Sequence, residues 1–221
     1  MSAYENFVQD FPVRCNTLLE DNWISASIND LEVTLMLATA AAGFVIPYER
    51  LRSSSDDHFA RDRVKSFATA IWKLENIRFK NWVKQNDWEY ISEIDANIVK
   101  RDVEKWGGPN KRKPLSVEKT VGHVFNIVRN ALAHGNIITY PRRVEEKNPP
   151  QIEKILFLSK IRDKETGQLL DKYNVVVVGP QGFALMLKKW FDELSNLEIP
   201  SAVDQIRDIT ELDTNRQLHR P

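Results

Sequence analysis

Apolar positions at helical spacing alternate along the chain with polar segments, and this pattern predicts most of the regular structure. The most apolar stretch runs from Leu31 to Ile46, after the capping candidates Asn29 and Asp30. Pro47 comes directly after it, and a proline at that place is expected to stop the helix. Helical spacing from Ala60 towards Trp82 predicts a second long helix, and residues 88–106 show a weaker helical pattern.

The clearest helical pattern begins at Leu115. Gly135 suits the left-handed position that ends many helices, and it sets the expected end of this one. The pattern consists of apolar residues spaced three or four apart, which form one continuous stripe: Val117, Val121, Val124, Phe125, Val128, Ala131 and Leu132.

A β-hairpin is predicted further on, where residues 152–160 and 173–178 are rich in β-branched and aromatic side chains and flank the turn sequence DKETGQ. Pro180 fits the first turn of a final helix. With only 8 glycines in 221 residues, the expected fold is mainly α: an antiparallel helical bundle over 1–140, an appendage of hairpin and helix over 141–197 packed on the bundle, and a polar tail over 198–221.

Composition indicates a globular chain with no overall charge bias. Hydrophobic residues make up 42% and charged residues 28%, and 31 Lys and Arg balance 31 Asp and Glu. Any contact with nucleic acid must therefore be local, and no membrane partner is expected. The single cysteine, Cys15, and an amino terminus without a signal-peptide pattern favour the cytoplasm.

Nucleotide-fold enzymes and zinc enzymes are not expected, because the sequence lacks their motifs. It has no glycine-rich phosphate loop, no serine nucleophile elbow, and no His or Cys pair at metal-ligand spacing. We therefore expect neither a metal nor another cofactor.

The end of the clearest helix, HVFNIVRNALAHGN, carries the best candidate chemistry. Arg129 and His134 point roughly 140° apart and lie about 7.5 Å apart along a helix axis. One copy of the helix therefore does not bring both side chains to the same ligand. Beside the apolar stripe lies a second stripe of small and polar residues: Gly122, Asn126, Arg129, Asn130 and Ala133. This polar stripe could pack against the same helix of a second protomer across a two-fold axis. The two copies would then bring two Arg and two His into one cleft.

These residue types suit a phosphodiester. Arg129 offers a permanently charged fork, Asn130 stands at the i, i+4 position to His134 and could orient its ring, and the last turn favours a cationic side chain. Without a metal, such a set suits RNA cleavage, in which the ribose 2′-hydroxyl is the nucleophile and only proton transfer and charge stabilisation are required.

The segment RNALAHGN resembles the signature of HEPN domains (higher eukaryotes and prokaryotes nucleotide-binding), with Arg129, the polar Asn130 and His134 in the matching places. The resemblance covers the helical part, from about Asn22 to Asn136, and makes the expected bundle HEPN-like. It implies a homodimeric, metal-independent endoribonuclease that leaves 2′,3′-cyclic phosphate ends, often a toxin with an antitoxin partner or a defence effector. Some members of the family are non-catalytic, so a silent RNA- or protein-binding module is the alternative.

Structural interpretations of the same residues remain open. Arg129 could form an ion pair with Glu32 or Glu49, and His134 could cap the helix by bonding to its last carbonyls. His123 is expected to be a structural or a surface histidine, and the tryptophans Trp72, Trp82, Trp106 and Trp190 are expected in the core.

Three further residues are candidates for binding the substrate backbone: Asn126 on the polar stripe, and Arg142 and Arg143 just after the motif helix. The basic run at 111–113 is interpreted as a solvated loop.

Overall fold

A layer of helices packs against an antiparallel five-stranded sheet in this computed structural model, which describes residues 7–51, 65–84, 87–97, 113–114, 119–141, 151–163 and 165–197. The helices are α1 (Phe7–Ile28), α2 (Glu32–Ala40), a π-helical segment (Ala41–Val45), α3 (Ile46–Leu51), α4 (Lys65–Asn76), α5 (Phe79–Val83), α6 (Val121–His134) and α7 (Pro180–Ser195). The strands are β1 (Glu89–Asp95), β2 (Lys113–Pro114), β3 (Ile137–Pro141), β4 (Ile152–Arg162) and β5 (Leu169–Val178).

The sheet overturns the predicted fold class, a mainly α bundle with a small hairpin. Its strand order is β2-β1-β5-β4-β3, and β4 and β5 are its central hairpin rather than an appendage. Strand β1 lies in the first part of the weak helix predicted over 88–106, and residues 98–106 lie outside the described residues. A β-bulge explains the error: Ile91 and Ile94 are both buried on β1, but the pairing with β5 shifts between them and Glu93 has a positive φ of 57°. The extra residue gives the two isoleucines a helix-like spacing of three.

The predicted helix over residues 31–46 is interrupted rather than stopped. Helix α2 begins after Leu31 and not after Asn29 or Asp30, because Asp30 adopts a left-handed φ of 55°. The π-helical segment comes after α2, and the chain continues into α3 through Pro47. Pro47 comes directly after the π-helical segment, where the regular hydrogen-bond ladder of the α-helix is already interrupted, so its missing N–H is tolerated there.

Two of the remaining predicted elements are confirmed, and the others differ in their bounds. The hairpin is confirmed as β4 and β5, and the last helix as α7, which begins at Pro180. The second long helix ends at Asn76 and gives way to the short α5. Helix α6 begins at Val121, with the Thr120 side chain accepting a hydrogen bond from the His123 amide. Helix α1 and strands β2 and β3 were not predicted. The solvated loop predicted at 111–113 is wrong for Lys113, which lies in β2, and residues 111–112 lie outside the described residues.

An aromatic cluster fills the centre of the helical layer. Phe44, Tyr48, Phe125 and Trp190 are each fully buried, and their ring centroids lie 4.9 to 6.0 Å apart. Most of these pairs are edge-to-face, the arrangement that ring quadrupoles favour. The prediction of a core position is therefore confirmed for Trp190. The same prediction is wrong for Trp72, because 64% of this residue is exposed. Trp106 lies outside the described residues.

Both faces of the sheet are buried. Residues such as Ile155, Phe157 and Val176 face the helices, while a second apolar cluster lies on the opposite face. This double burial explains why the hairpin strands contain continuous apolar runs rather than alternating polar and apolar residues. The second cluster comprises Ile91, Ile94, Leu156, Leu158, Val175 and Val177. No helix within the described ranges is both long and apolar enough to cross a membrane.

The close approach of three helical segments at Gly43 generates a stability prediction. A Cβ atom at Gly43 would lie 2.7 Å from the Cys15 Cβ and 2.8 Å from a ring carbon of Phe191. We expect Gly43→Ala to lower the free energy of unfolding by about 1–2 kcal/mol, since overpacking outweighs the better helix propensity of alanine. Urea denaturation measures the change. Ala38→Ser, on the exposed face of α2, is the control and should change stability by no more than about 0.5 kcal/mol. An unaltered Gly43→Ala midpoint would contradict the close packing.

Candidate functional site

Helix α6 presents the motif because its apolar stripe is held in the core. Val121, Val124, Phe125 and Val128 have no exposed surface. This burial fixes the rotation of the helix and sets Arg129 and Asn130 at the edge of the core, half-buried, with His134 exposed in the last turn.

Arg129 is held on two sides within its own chain. Its Nε atom lies 2.7 Å from Oε1 of Glu49 on α3, although the two atoms are not aligned as a hydrogen bond. Its Nη1 atom donates to Oδ1 of Asn130 at 2.8 Å. The ion-pair interpretation of Arg129 is thus confirmed with Glu49 and is wrong for Glu32. The Arg129 side chain remains 21% exposed, so part of it is open to solvent at the edge of the core.

Asn130 connects the motif to the sheet. Its Nδ2 atom donates to the Ser159 hydroxyl at 2.9 Å, and Ser159 on β4 is only 7% exposed. Both polar ends of the Asn130 amide are therefore occupied, by Arg129 and by Ser159. In this arrangement Asn130 orients the guanidinium rather than the His134 ring. Ser159 was not predicted from the sequence, although a polar residue that ends the apolar run ILFL is the signal of such a contact.

His134 stands apart from Arg129 within one protomer. No hydrogen bond or ion pair joins it to Arg129 or Asn130 in the described part of the chain. Gly135 comes next with φ of 67° and donates its amide to the Ala131 carbonyl, as predicted for the helix end. Since the cap is made by the Gly135 backbone, the His134 ring is left exposed to solvent.

The polar stripe on α6 is partly covered by the chain itself. A Cβ at Gly122 would lie 2.9 Å from the Glu75 Cβ, so α4 and not a second copy approaches the helix there. Asn126 is half-buried, and Ala133 is exposed beside His134. The last turn of α6 is therefore the part of the stripe that a second protomer can reach. Arg142 and Arg143 lie outside the described residues.

The chemistry available at this site is anion binding and proton transfer. Arg129 supplies a permanent positive charge and His134 an exposed imidazole. Across the described ranges, no group of three or more His, Cys, Asp and Glu side chains is placed to hold a metal ion.

His123, at the other end of α6, is a half-buried histidine that packs against β1. Its ring meets the Tyr90 ring edge-to-face at 5.4 Å, and its Nε2 atom is buried without a hydrogen-bond partner. Desolvation by burial, and secondarily the positive charge of Lys119, lower the pKa of His123 below its usual 6.5.

This lowered pKa predicts a loss of stability in mild acid. As pH falls below about 6.5, the unfolded chain takes up a proton at His123 before the folded chain does, so the free energy of unfolding decreases. His123→Gln removes the titrating group and should make this decrease smaller. Urea denaturation of both proteins at about pH 7.5 and about pH 5.5 measures the difference. Equal decreases in the two proteins would show that His123 is not the responsible group.

Comparison with known proteins agrees with the motif. A family model described as HEPN pEK499 p136 matches residues 1–201. No curated protein and no solved structure matches the chain. Because the matched residues cover most of the 221-residue chain and include the Arg129, Asn130 and His134 motif, the protein belongs to the HEPN pEK499 p136 family.

Proposed function

We propose that this protein is a cytoplasmic, metal-independent endoribonuclease of the HEPN type, with a composite active site at a homodimer interface, and that it acts as a toxin or defence effector. The observation that supports it best is the position of the Arg129 guanidinium, which Glu49 and Asn130 hold at the edge of the core while 21% of the side chain stays exposed. A cation that is positioned in advance stabilises developing phosphate charge without reorganising during the reaction.

Each motif residue has a distinct role in the proposed reaction. His134 accepts the proton of the ribose 2′-hydroxyl, the 2′ oxygen forms a bond to phosphorus, and the bond from phosphorus to the 5′ oxygen breaks. A second His134, from the other protomer, donates a proton to the departing 5′ oxygen. Arg129 binds the phosphate oxygens, and Asn130 keeps the guanidinium oriented. The products are a 2′,3′-cyclic phosphate and a 5′-hydroxyl end.

The geometry of α6 supports the proposal of a second protomer. One copy separates Arg129 and His134 by about 7.5 Å along the axis and roughly 140° around it. The exposed last turn, with Ala133 and His134, is where a two-fold axis would bring the partner's pair into the same cleft. Asn126, together with Arg142 and Arg143 beyond β3, is proposed to contact the substrate backbone. A cognate antitoxin protein is proposed as a further partner.

The test is cleavage of an end-labelled RNA in EDTA by the wild type and by His134→Ala, with mapping of the product ends. We expect only the wild type to cleave and to leave cyclic phosphate ends. His134 is exposed, so its substitution should change the free energy of unfolding by no more than about 0.5 kcal/mol. A folded His134→Ala that retains full activity would contradict the proposal.

The Arg129 variant needs a matched control, because Arg129→Ala leaves the partly buried Glu49 carboxylate without this partner. We expect it to lower stability by about 1–3 kcal/mol. Adding Glu49→Gln removes the negative charge that faced Arg129 and should restore part of that stability without restoring cleavage. Arg162→Ala, an exposed arginine on β4, should keep wild-type activity. Activity that returns with stability in the double variant would assign Arg129 a structural role only.

The ion pair also favours the second candidate function, a catalytically silent RNA- or protein-binding module. Because Glu49 already neutralises part of the Arg129 charge within the protomer, the resting site attracts phosphate less than an unpaired arginine would. This alternative predicts binding of RNA or a protein without turnover by the folded wild-type dimer.

A further inference from the structure

A second site lies at the opposite end of β4 from the motif. A cavity of about 550 Å³ opens where the start of β4 meets the start of α7 and the first turn of α2. This volume is within the range of small-molecule sites. Its described lining includes one aromatic ring and several polar side chains: Trp23, Ser27, Glu32, Gln151, Glu153 and Gln181.

Glu32 is the unusual residue in this cavity. It is only 9% exposed, and its Oε2 atom is buried with no hydrogen-bond partner. A buried carboxylate is ordinarily paired with a cation or with several donors, because desolvation of the charge is costly. Its position in the first turn of α2 suits a negative charge. An exposed carboxylate would serve the helix equally well, so the helix does not account for the burial.

The surroundings of Glu32 indicate the missing partner. Among the described lining residues there is no Lys, Arg or His, and Glu153 adds a second, exposed carboxylate at the rim. Trp23 supplies a half-buried indole face. Carboxylates together with an accessible aromatic ring form a combination that selects a positively charged group on an apolar stem.

We propose that this cavity binds a small organic dication, with an ammonium or guanidinium group paired with Glu32, an aliphatic stem on Trp23 and a second cationic group near Glu153. Occupation places a positive charge beside the Glu32 carboxylate, which has no cationic side chain among the described lining residues. The size of the cavity favours a free small molecule over a single side chain inserted by another protein.

The site is separate from the RNA chemistry. Ser159, which anchors the motif, is seven positions along β4 from Ile152, or about 23 Å in an extended strand. Binding of the dication therefore does not depend on Arg129 or His134, and either proposal can fail without the other.

The test is isothermal titration of the full chain with agmatine, a dication that carries one guanidinium and one ammonium group. We expect saturable binding by the wild type and a loss of affinity of about tenfold or more in Glu32→Gln. Glu165→Gln, on the exposed hairpin turn, is the matched control and should bind as the wild type does. His134→Ala should also bind normally.

Stability separates a ligand site from a structural role for Glu32. Because Oε2 has no partner in the unliganded protein, Glu32→Gln should unfold at the same or higher urea concentration than the wild type. If that variant does not fold, Glu153→Gln, an exposed substitution, should weaken agmatine binding severalfold. Absence of saturable binding by the wild type would overturn the proposal, and so would equal affinity in folded Glu32→Gln. Tighter binding of a capped arginine peptide than of agmatine would overturn the choice of a small molecule.

Discussion

The hydrogen bond from the Trp190 indole to the Gly43 carbonyl joins α7 to the π-helical segment, and the aromatic cluster of Phe44, Tyr48, Phe125 and Trp190 packs around it. The indole nitrogen lies 3.0 Å from the carbonyl oxygen in a fully buried setting. A π turn opens the regular hydrogen-bond ladder and adds a residue, which rotates the next helical turns relative to an uninterrupted α-helix. After this rotation Tyr48 enters the aromatic cluster and its neighbour Glu49 reaches Arg129. The packing of the core thus determines which charge meets the motif.

The motif is held from three directions by elements distant in sequence. Glu49 approaches Arg129 from α3, Ser159 approaches Asn130 from β4, and the apolar stripe of α6 holds both residues at the edge of the core. Side chains fixed in this way lose little entropy when they bind an anion, which suits a preorganised phosphate site. His134 is different, because it lies on the exposed last turn of α6. Completion of the proposed active site therefore depends on a second protomer.

Local periodicity allowed the motif helix, the hairpin and the last helix to be predicted, since each carries an uninterrupted pattern of its own. Periodicity gave a wrong prediction where an irregularity in a strand produced the residue spacing of a helix. The bulge in β1 gave Ile91 and Ile94 a helical spacing, and with β1 misassigned the five-stranded sheet was predicted as a two-stranded hairpin. Pro47 was expected to end a helix that in fact continues through the π turn into α3. The motif residues could be chosen from one helix. The partner of Ser159 could not be predicted, because its contact with Asn130 spans 29 positions of the chain.

Arg129 is the proposed contact for an RNA phosphate, in an active ribonuclease and in a silent RNA-binding module alike. Nitrogen-15 NMR of the arginine side chains tests this contact during titration with a 2′-O-methyl RNA, which cannot be cleaved by attack of the 2′ oxygen. The Arg129 signal is assigned by its loss in Arg129→Lys. We expect the Arg129 Nε resonance to shift progressively and to saturate with the RNA. Saturable binding of the RNA with the Arg129 resonance unchanged would contradict this role for Arg129.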